Sequence, residues 1–208
     1  MGVTERRQRE RDQLHTKILN AARELFAARG YEAVTMREIA RQVEYSPTAI
    51  YSHFKDKEAL IMALCAVDFL ALADVFERVA GEPDPIKRLG KIGQAYAEFG
   101  LAHPNHYRVM FMTSYPMHEV DEQVIEKGSP DQDAYALLKI TALDGIKAGC
   151  FRTDFDDAEL IAQTLWAGIH GVVSLEIAMS RDPCVDWRPI KDRVSAMLNS
   201  LMQGLMKP

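Results

Sequence analysis

The feature that most constrains this chain is a series of helix start and stop signals packed closely together near its N-terminus. From Leu14 onward, apolar residues recur at helical spacing as far as Gly30, a residue that favours the end of a helix. Thr35 is followed three residues later by a glutamate, which is the pattern of a capping box. Ser46 and Pro47 supply an N-cap and a favoured first residue for a third helix. The pattern predicts three short helices before residue 57.

The second and third of these helices are separated only by a tight turn at Glu44 and Tyr45. Two short helices joined in this way are typical of a helix-turn-helix, whose second helix enters the DNA major groove with its N-terminal residues first. Ile50 and Phe54 lie four residues apart and are expected to pack inward. These two residues are surrounded by side chains that can contact base edges, thymine methyl groups or phosphates. These are Ser46, Pro47, Thr48, Ala49, Tyr51, His53, Lys55 and Lys57.

Charge is segregated along the chain. The whole sequence has a net charge of −5, but residues 1–57 contain 11 lysines and arginines against 8 aspartates and glutamates, a net +3. The remainder contains 14 against 22, a net −8. Because binding to a polyanion depends on local phosphate neutralisation, a basic head on an acidic body is compatible with DNA binding by the head alone.

The rest of the chain is also predicted to be helical. A long fourth helix opens near Asp56 and ends at Gly81, before the linker EPDP. Further helical patterns cover about residues 84–102, 104–114, 130–149, 156–180 and 189–205. The sequence therefore predicts an all-α fold of about nine helices. We expect a DNA-binding head with a basic arm over residues 1–57 and an effector-binding and dimerisation domain over residues 58–208.

The N-terminal part of the chain resembles the TetR family of one-component bacterial transcription regulators. The resemblance extends over residues 14–64 and includes the stretch ILNAARELFAARGYEAVTMREIARQVEYSPTAIYSHFKDKEAL. It implies a head that binds operator DNA, a body that receives a small effector, and a homodimer that pairs through the last two helices. The matching residues are Ala21, Phe26, Gly30, Thr35, Ile39, Ala40, Ser46, Tyr51, Phe54, Lys57 and Leu60.

The resemblance also implies roles for individual residues. It implies phosphate contacts at Thr35, Tyr51, His53 and Lys57, a base or backbone contact at Thr48, and a further candidate contact at Arg37. Two departures from the family pattern lie in the turn, where Glu44 replaces a glycine and Tyr45 replaces a valine. A non-glycine residue in a left-handed turn costs about 1 kcal/mol, so the recognition helix is expected to be slightly re-aimed.

The N-terminal arm is basic, because the stretch TERRQRERDQ contains Arg6, Arg7, Arg9 and Arg11. Such an arm can reach the neighbouring minor groove or the DNA backbone. It can equally be a disordered, solvated tail. The sequence leaves both alternatives open.

The last two predicted helices carry apolar stripes that need a partner surface, and a four-helix bundle with a second copy provides one. Glycine inside a helix costs about 1 kcal/mol relative to alanine, so two glycines in the eighth helix indicate close backbone approach. The predicted dimer interface consists of Gly168, Gly171, Leu175, Val194, Leu198 and Leu201. The triplet Trp166, His170 and Gly171 resembles the body signature of a TetR subgroup named for those residue types.

Aromatic and sulfur-containing side chains are concentrated in the body. A pocket lined by them would accept a small, largely apolar effector, with tyrosine or histidine side chains as hydrogen-bonding groups. The same side chains can equally form plain core, which is the commoner role of buried aromatic residues. The pocket candidates are Phe69, Tyr96, Phe99, Met110, Phe111, Tyr115, Trp166 and His170.

Metal-binding and catalytic sites are weakly supported. His103, His106 and His118 lie around one predicted corner, where they could hold zinc with Glu119, but no further ligand has convincing spacing. The sequence contains no GxSxG, HExxH, GxGxxG or Walker pattern, and its three cysteines have no CxxC spacing. We therefore predict no metal, no cofactor and no enzyme activity.

The sequence predicts a ligand-responsive transcription regulator, more often a repressor than an activator by resemblance. Its predicted partners are double-stranded operator DNA, a small apolar effector and a second copy of itself. No apolar run reaches the roughly 18 to 20 residues of a membrane helix, and the N-terminus lacks the apolar core of a signal peptide, so we expect a cytoplasmic protein with no membrane partner. Two alternatives are a small-molecule carrier or enzyme with an unused helix-turn-helix, and a non-specific architectural DNA protein.

Overall fold

The computed structural model describes residues 3–115 and 126–207. Within these ranges the fold is all-α, as predicted, and it contains nine α-helices, one π-helix and no strand. A single antiparallel bridge joins Phe151 and Met206. The α-helices are α1 (Val3–Arg29), α2 (Met36–Gln42), α3 (Pro47–Tyr51), α4 (Lys57–Ala80), α5 (Pro85–Ala102), α6 (Pro104–Tyr107), α7 (Ala134–Lys147), α8 (Ala158–Met179) and α9 (Ile190–Leu205), and the π-helix (Arg108–Met112) follows α6.

The first helix is longer than the apolar pattern predicts, because α1 begins at Val3 and includes the whole basic arm. Glutamate, glutamine and arginine are good helix formers, and side chains four residues apart can pair along the exposed surface. Arg6 pairs with Glu10 at 2.8 Å, and the amide of Gln8 donates to the Asp12 carboxylate at 2.8 Å. The alternative of a disordered tail is therefore wrong for residues 3–13.

The chain divides into two compact units, which we describe separately. In the described residues the first unit consists of residues 3–68 and 105–115, that is α1 to α3, the first half of α4, and the segment of α6 and the π-helix. Its core is formed by large side chains from all of these elements. Those that are fully or almost fully buried include Ile18, Phe26, Val34, Ile39, Ile50, Leu60, Ile61, Leu64, Tyr107 and Val109.

The segment after Pro104 differs from the single helix predicted over residues 104–114. An α-helix of four residues, Pro104–Tyr107, is followed directly by the π-helix Arg108–Met112. The hydroxyl of Thr113 donates to the Arg108 carbonyl at 2.9 Å and supplies a partner at the end of the wider turn. Five residues are too few for an apolar pattern to distinguish π from α periodicity, so the sequence did not indicate this element.

The second unit consists, in the described residues, of 69–104 and 126–207, with the end of α4 and helices α5, α7, α8 and α9. Aspartates at positions 84, 133 and 157 cap α5, α7 and α8 by accepting bonds from backbone N–H groups of the first turn. Ion pairs join the helices: Arg88 of α5 with Asp144 of α7, and Arg193 of α9 with Glu176 of α8. The first pair joins α5 to α7, and the second joins α8 to α9.

Two of the described helices meet the length and composition of a membrane span, contrary to the expectation from the sequence. They are α4 and α8, and half of the most apolar window of α4 and a third of that of α8 are buried inside the protein. Core helices of soluble proteins meet the same test, so these helices are weak evidence for a membrane span.

Candidate nucleic-acid interface and effector site

The proposed recognition helix, α3, is short and held by local interactions at both ends. The Ser46 hydroxyl accepts from the N–H of Ala49 at 3.2 Å, and Pro47 occupies the first helical position, as the sequence predicts. On the inner side, Ile50 is fully buried and Phe54 is 5% exposed. These two anchors hold the inward side of α3 against the first unit and leave its other side to solvent.

The outward side of α3 presents the side chains predicted to read DNA. Thr48 and Tyr51 lie three residues apart and therefore share one side of the helix, and both are exposed. Half of the Tyr51 surface is accessible, which is a large exposure for an aromatic residue. Ser46 and Pro47 are exposed as well, whereas Ala49 is half-buried.

The turn before α3 has a left-handed conformation at Glu44, the position where the family pattern usually has glycine. Glu44 has φ of 62° and is the only non-glycine residue with positive φ in the part of the chain that the structure describes. Its N–H donates to the Arg41 carbonyl at 3.2 Å, and the N–H of Tyr45 donates to the Ala40 carbonyl at 3.0 Å. This pair of bonds is the Schellman motif that usually places glycine at the left-handed position. The turn is therefore held by regular capping bonds, despite a conformational cost of about 1 kcal/mol.

The start of α2 forms the predicted capping box, and it occupies the donors of Thr35. The Glu38 N–H donates to the Thr35 hydroxyl, while the Thr35 hydroxyl and N–H both lie 2.9 Å from the Glu38 carboxylate. Arg29 pairs with the same carboxylate at 2.9 Å. These hydrogen bonds, first those of Thr35, lower the pKa of Glu38 to about 2. A phosphate at Thr35 would therefore compete with an ionised glutamate, whereas Arg37 in the next turn is exposed.

The two lysines that follow α3 have different environments. The Lys57 ammonium is half-buried, donates to the carbonyls of Tyr31 and Val34 at 2.9 and 3.1 Å, and lies 4.0 Å from the centroid of the Tyr31 ring. It joins the loop before α2 to the start of α4, a role that the sequence did not suggest. The Lys55 side chain is 84% exposed, and its ammonium lies 4.0 Å from the Asp56 carboxylate.

A buried ion pair joins α1 to α4 within the first unit, and sequence reasoning missed it. Arg23 of α1 donates through two nitrogens to the carboxylate of Asp68 in α4, at 2.7 and 3.0 Å, and Asp68 is fully buried. The third nitrogen of Arg23 donates to Asn20 at 2.7 Å. His106 of α6 places its Nδ1 atom 3.0 Å from the Asp68 carboxylate. One carboxylate therefore joins three elements of the first unit.

The predicted pocket residues fall into both units. Phe69, Tyr96, Phe99, Trp166 and His170 belong to the second unit, and Met110, Phe111 and Tyr115 belong to the first. In the first unit the Tyr115 hydroxyl accepts from the Cys65 thiol at 3.3 Å, and burial raises the pKa of that thiol to about 11. Cys65 is therefore a protonated core residue at neutral pH.

In the second unit the structure brings together three polar groups of the predicted set. The indole N–H of Trp166 donates to the Tyr96 hydroxyl at 3.1 Å, and that hydroxyl lies 3.1 Å from Nδ1 of His170. Which of these two groups donates is set by the His170 tautomer: with the proton on Nε2, the Nδ1 atom accepts from the Tyr96 hydroxyl. Burial lowers the pKa of His170, which favours the neutral imidazole. The Tyr96 side chain is only 3% exposed, whereas Trp166 is 37% exposed.

The predicted interface residues of α8 and α9 separate into inward and outward sets. Val194 is 2% exposed. A Cβ atom at Gly93 or Gly168 would lie only 2.4 or 2.5 Å from methyl groups of Leu198 and Leu201, so these leucines pack within their own unit. Val194 is thus buried within its own unit, whereas Leu198 and Leu201 are half-buried, and a role of these residues between subunits stays a prediction. Leu175 is 45% exposed, and a Cβ atom at Gly171 would meet open space.

The zinc hypothesis gains no support from the described residues, among which no group of three potential ligands lies close enough to hold a metal ion. His103 belongs to the second unit and contacts the Phe99 ring, while His106 is beside Asp68 in the first. His118 and Glu119 lie outside the described residues.

Family comparisons agree with this architecture. Residues 18–64 match the family of bacterial regulatory proteins named tetR, and residues 89–203 match a tetracyclin repressor-like C-terminal domain. The second match covers more than half of the chain. The protein therefore belongs to the TetR family, whose members are generally regulators rather than enzymes; the Trp-His-Gly subgroup remains a prediction.

Individual relatives are similar to the head. The chain is 43% identical over 61 residues to the HTH-type transcriptional regulator UidR of Escherichia coli, which is 29% of this chain and 31% of that protein. It is 44% identical over 59 residues to the HTH-type transcriptional repressor AcnR of Corynebacterium diphtheriae, which is 28% of this chain and 31% of that protein. The match thus spans about a third of the length of these relatives.

Solved structures are similar over most of the chain. A protein of unknown function from Rhodococcus sp. RHA1 superposes with a TM-score of 0.71 at 26% identity, covering 93% of this chain and 96% of that one. The fatty acid degradation regulator FadR from Bacillus halodurans gives a TM-score of 0.71 at 17% identity over 90% and 94% of the two chains, a likeness of fold alone.

Proposed function

We propose that this protein is a DNA-binding transcription regulator whose residues 1–57 form the DNA-binding head. The single observation that supports this most strongly is the placement of α3, whose inner side is anchored by Ile50 and Phe54 while Thr48 and Tyr51 face solvent. In a helix-turn-helix the outward side of the second helix enters the major groove. The proposed DNA contacts are Arg37, Ser46, Pro47, Thr48, Ala49, Tyr51, His53 and Lys55, with Thr35 and Lys57 at the edge of the interface.

We further propose that residues 58–208 bind an effector and dimerise. The cluster of Tyr96, Trp166 and His170 combines apolar ring surface with hydrogen-bonding groups, which suits a small, largely apolar effector that carries one polar group. By analogy with regulators named as repressors, effector binding would release the operator. A coupling of about 1–3 kcal/mol would weaken operator binding about 5- to 150-fold.

The exposed side of α8 supports the dimer. Leu160, Leu175 and Met179 are each 44–48% exposed on this helix, and no lysine, arginine, aspartate or glutamate occurs between Leu160 and Leu175. Apolar, uncharged helix faces of this kind are typical of interfaces between identical subunits. A two-fold dimer would also present two recognition helices to half-sites one helical turn apart, about 34–36 Å. Such a protein acts on cytoplasmic DNA and needs no membrane partner.

The experiment is a selection of genomic DNA fragments by the purified protein, followed by measurement of binding as salt is raised. A DNA reader retains a small set of fragments, and the logarithm of its affinity falls with the logarithm of salt concentration, with a slope of about −0.9 for each phosphate neutralised. Specific readers prefer their site over scrambled DNA by at least about 10³-fold. Equal affinity for every sequence would favour an architectural protein, and failure to retain any duplex at low salt would favour the carrier or enzyme alternative.

A further inference from the structure

The outward end of α3 lies beside a second histidine that no family feature assigns. His53 lies two residues after Tyr51, the last residue of α3, and its ring centroid lies 5.8 Å from that of His15 in α1. The His15 ring also packs on Phe54, with centroids 4.7 Å apart. Because Phe54 is a buried anchor, the pair is held in place on the surface of the first unit while both imidazoles remain partly exposed.

The helix that carries His15 brings further positive charge to the same place. Arg7, Arg11 and His15 follow one another at intervals of four residues, so they lie along one side of α1. Arg7 and Arg11 form no ion pair within the described ranges, whereas Arg6 is neutralised by Glu10. This side of α1 is therefore a row of uncompensated cations that leads to the histidine pair.

The surroundings of His53 disfavour its protonation in the free protein. Burial lowers the pKa of His53, and the nearby His15 and Arg11 lower it further. Beyond His53, the loop that precedes α4 adds the exposed Lys55 and its neighbour Asp56, which lie 4.0 Å apart. An anion placed between the imidazoles would reverse the effect, because it stabilises the imidazolium form.

From this geometry we propose that His15 and His53 form a proton-linked site for a DNA phosphate, so that the protein takes up a proton when it binds DNA. The proposal rests on the proposed function, because the anion is a phosphate of the duplex that α3 reads. It adds His15 and the Arg7–Arg11 side of α1 to the interface. It also makes operator affinity depend on pH near neutrality.

The sign follows from linkage. Phosphate binding raises the pKa of His53 above its value in the free protein, so the added affinity is fully present below the free pKa and is lost as pH rises through the bound pKa. Burial and the neighbouring positive charges hold the free pKa of His53 below the ordinary histidine value of about 6.5, and a bound phosphate raises it. For one proton taken up, affinity increases by up to about tenfold for each unit of decrease in pH within this window.

The test measures the binding of two labelled duplexes, one of mixed sequence at low salt and one recovered from the selection of genomic fragments. Each duplex is measured at constant ionic strength between about pH 5.5 and 8, a range that brackets the histidine pKa. We expect wild-type affinity to rise as pH falls. His15→Gln and His53→Gln should each reduce the slope of log affinity against pH, and the double variant should have almost none. His103→Gln, outside the first unit, should keep the wild-type slope. Circular dichroism at each pH establishes that the variants are folded.

A fixed cation provides the complementary variant. His53→Arg combined with His15→Gln should bind at pH 8 at least as tightly as wild type and lack the pH dependence, because an arginine does not titrate in this range. A wild-type affinity that does not change with pH, or a double glutamine variant with the wild-type slope, would overturn the proton-linked site and leave DNA binding intact. Absence of duplex binding at every pH would overturn the proposed function and this site with it.

Discussion

The recognition segment of the head and the last two helices of the body differ in what determines where their side chains point. In the head, Ser46, Pro47 and the anchors Ile50 and Phe54 fix the orientation of α3 through interactions only a few residues apart. In the body, the apolar stripe of α9 was expected to face a second copy, yet Val194 and Leu198 pack within their own unit. An apolar stripe indicates that a surface is buried, but it does not indicate which partner buries it.

The largest effect on unfolding free energy is expected at the buried ion pair between Arg23 and Asp68, which the short-range sequence patterns of the head did not reveal. Asp68→Ala leaves the Arg23 guanidinium without its charge partner, and breaking a buried pair in this way costs about 3–5 kcal/mol of unfolding free energy. Urea denaturation measures the change. Asp74→Ala, an exposed carboxylate on the same helix, is the control and should shift stability by no more than about 0.5 kcal/mol. Equal effects at the two positions would contradict the importance of the pair.

The second prediction separates the two lysines that sequence pattern treats alike. Lys57→Ala removes two hydrogen bonds from a charged donor and should lower the unfolding free energy by about 1.5–3 kcal/mol. Lys55→Ala should leave stability unchanged and reduce the magnitude of the salt slope of DNA binding by about one phosphate contact. Denaturation and salt titration of both variants provide the comparison. A stable Lys57→Ala protein with a reduced salt slope would return Lys57 to the phosphate-binding set.

The third prediction concerns the two glycines of α8, which have different surroundings. Gly168→Ala places a methyl group 2.5 Å from the end of the Leu201 side chain, and the overpacking cost of about 1–3 kcal/mol should cancel or exceed the helix gain of about 1 kcal/mol, for a net loss of about 0–2 kcal/mol. Gly171→Ala meets open space and should stabilise the helix by about 1 kcal/mol. If Gly171 lies at the interface between subunits, the same substitution weakens self-association, which sedimentation at several concentrations would detect. Similar destabilisation of the monomer by both substitutions would contradict the inward and outward assignment.

The smallest effect is expected in the turn before α3. Glu44→Gly relieves a left-handed strain of about 1 kcal/mol, but glycine also raises the entropy of the unfolded chain, so the net gain should be about 0.5 kcal/mol or less. Glu44→Ala removes the same charge and keeps the strain, which makes it the matched control. The difference in unfolding midpoint between the two variants isolates the backbone contribution. An unfolding midpoint of Glu44→Gly that is no higher than that of Glu44→Ala would rule out a contribution of backbone strain at this position.

Sequence reasoning succeeded where the determinants are local. The capping box at Thr35, the cap at Ser46 and the strained turn at Glu44 are each defined by residues within five positions of one another, and the structure contains all three. The family itself also followed from the head. By contrast, the bond between Arg23 and Asp68 joins residues 45 positions apart, and no periodic pattern encodes such a pair.

The body was less predictable for the same reason. The sequence selected Tyr96, Trp166 and His170 as aromatic or polar candidates, but the hydrogen bonds among them connect residues 70 and 74 positions apart. The sequence also treated Lys57 as a surface cation, because nothing near it indicates that the carbonyls of Tyr31 and Val34 accept its protons. Tertiary packing decides these roles.

The most direct test of the central claim, that the outward side of α3 lies on duplex DNA, is to compare variants of that side for binding to a selected duplex and its scrambled counterpart. Tyr51→Phe should weaken binding to both duplexes by about 2- to 10-fold, since it removes one phosphate hydrogen bond. Thr48→Ala should reduce the preference for the selected sequence, and Tyr135→Phe in α7 should change neither. Wild-type affinity and wild-type preference in both α3 variants would contradict the claim.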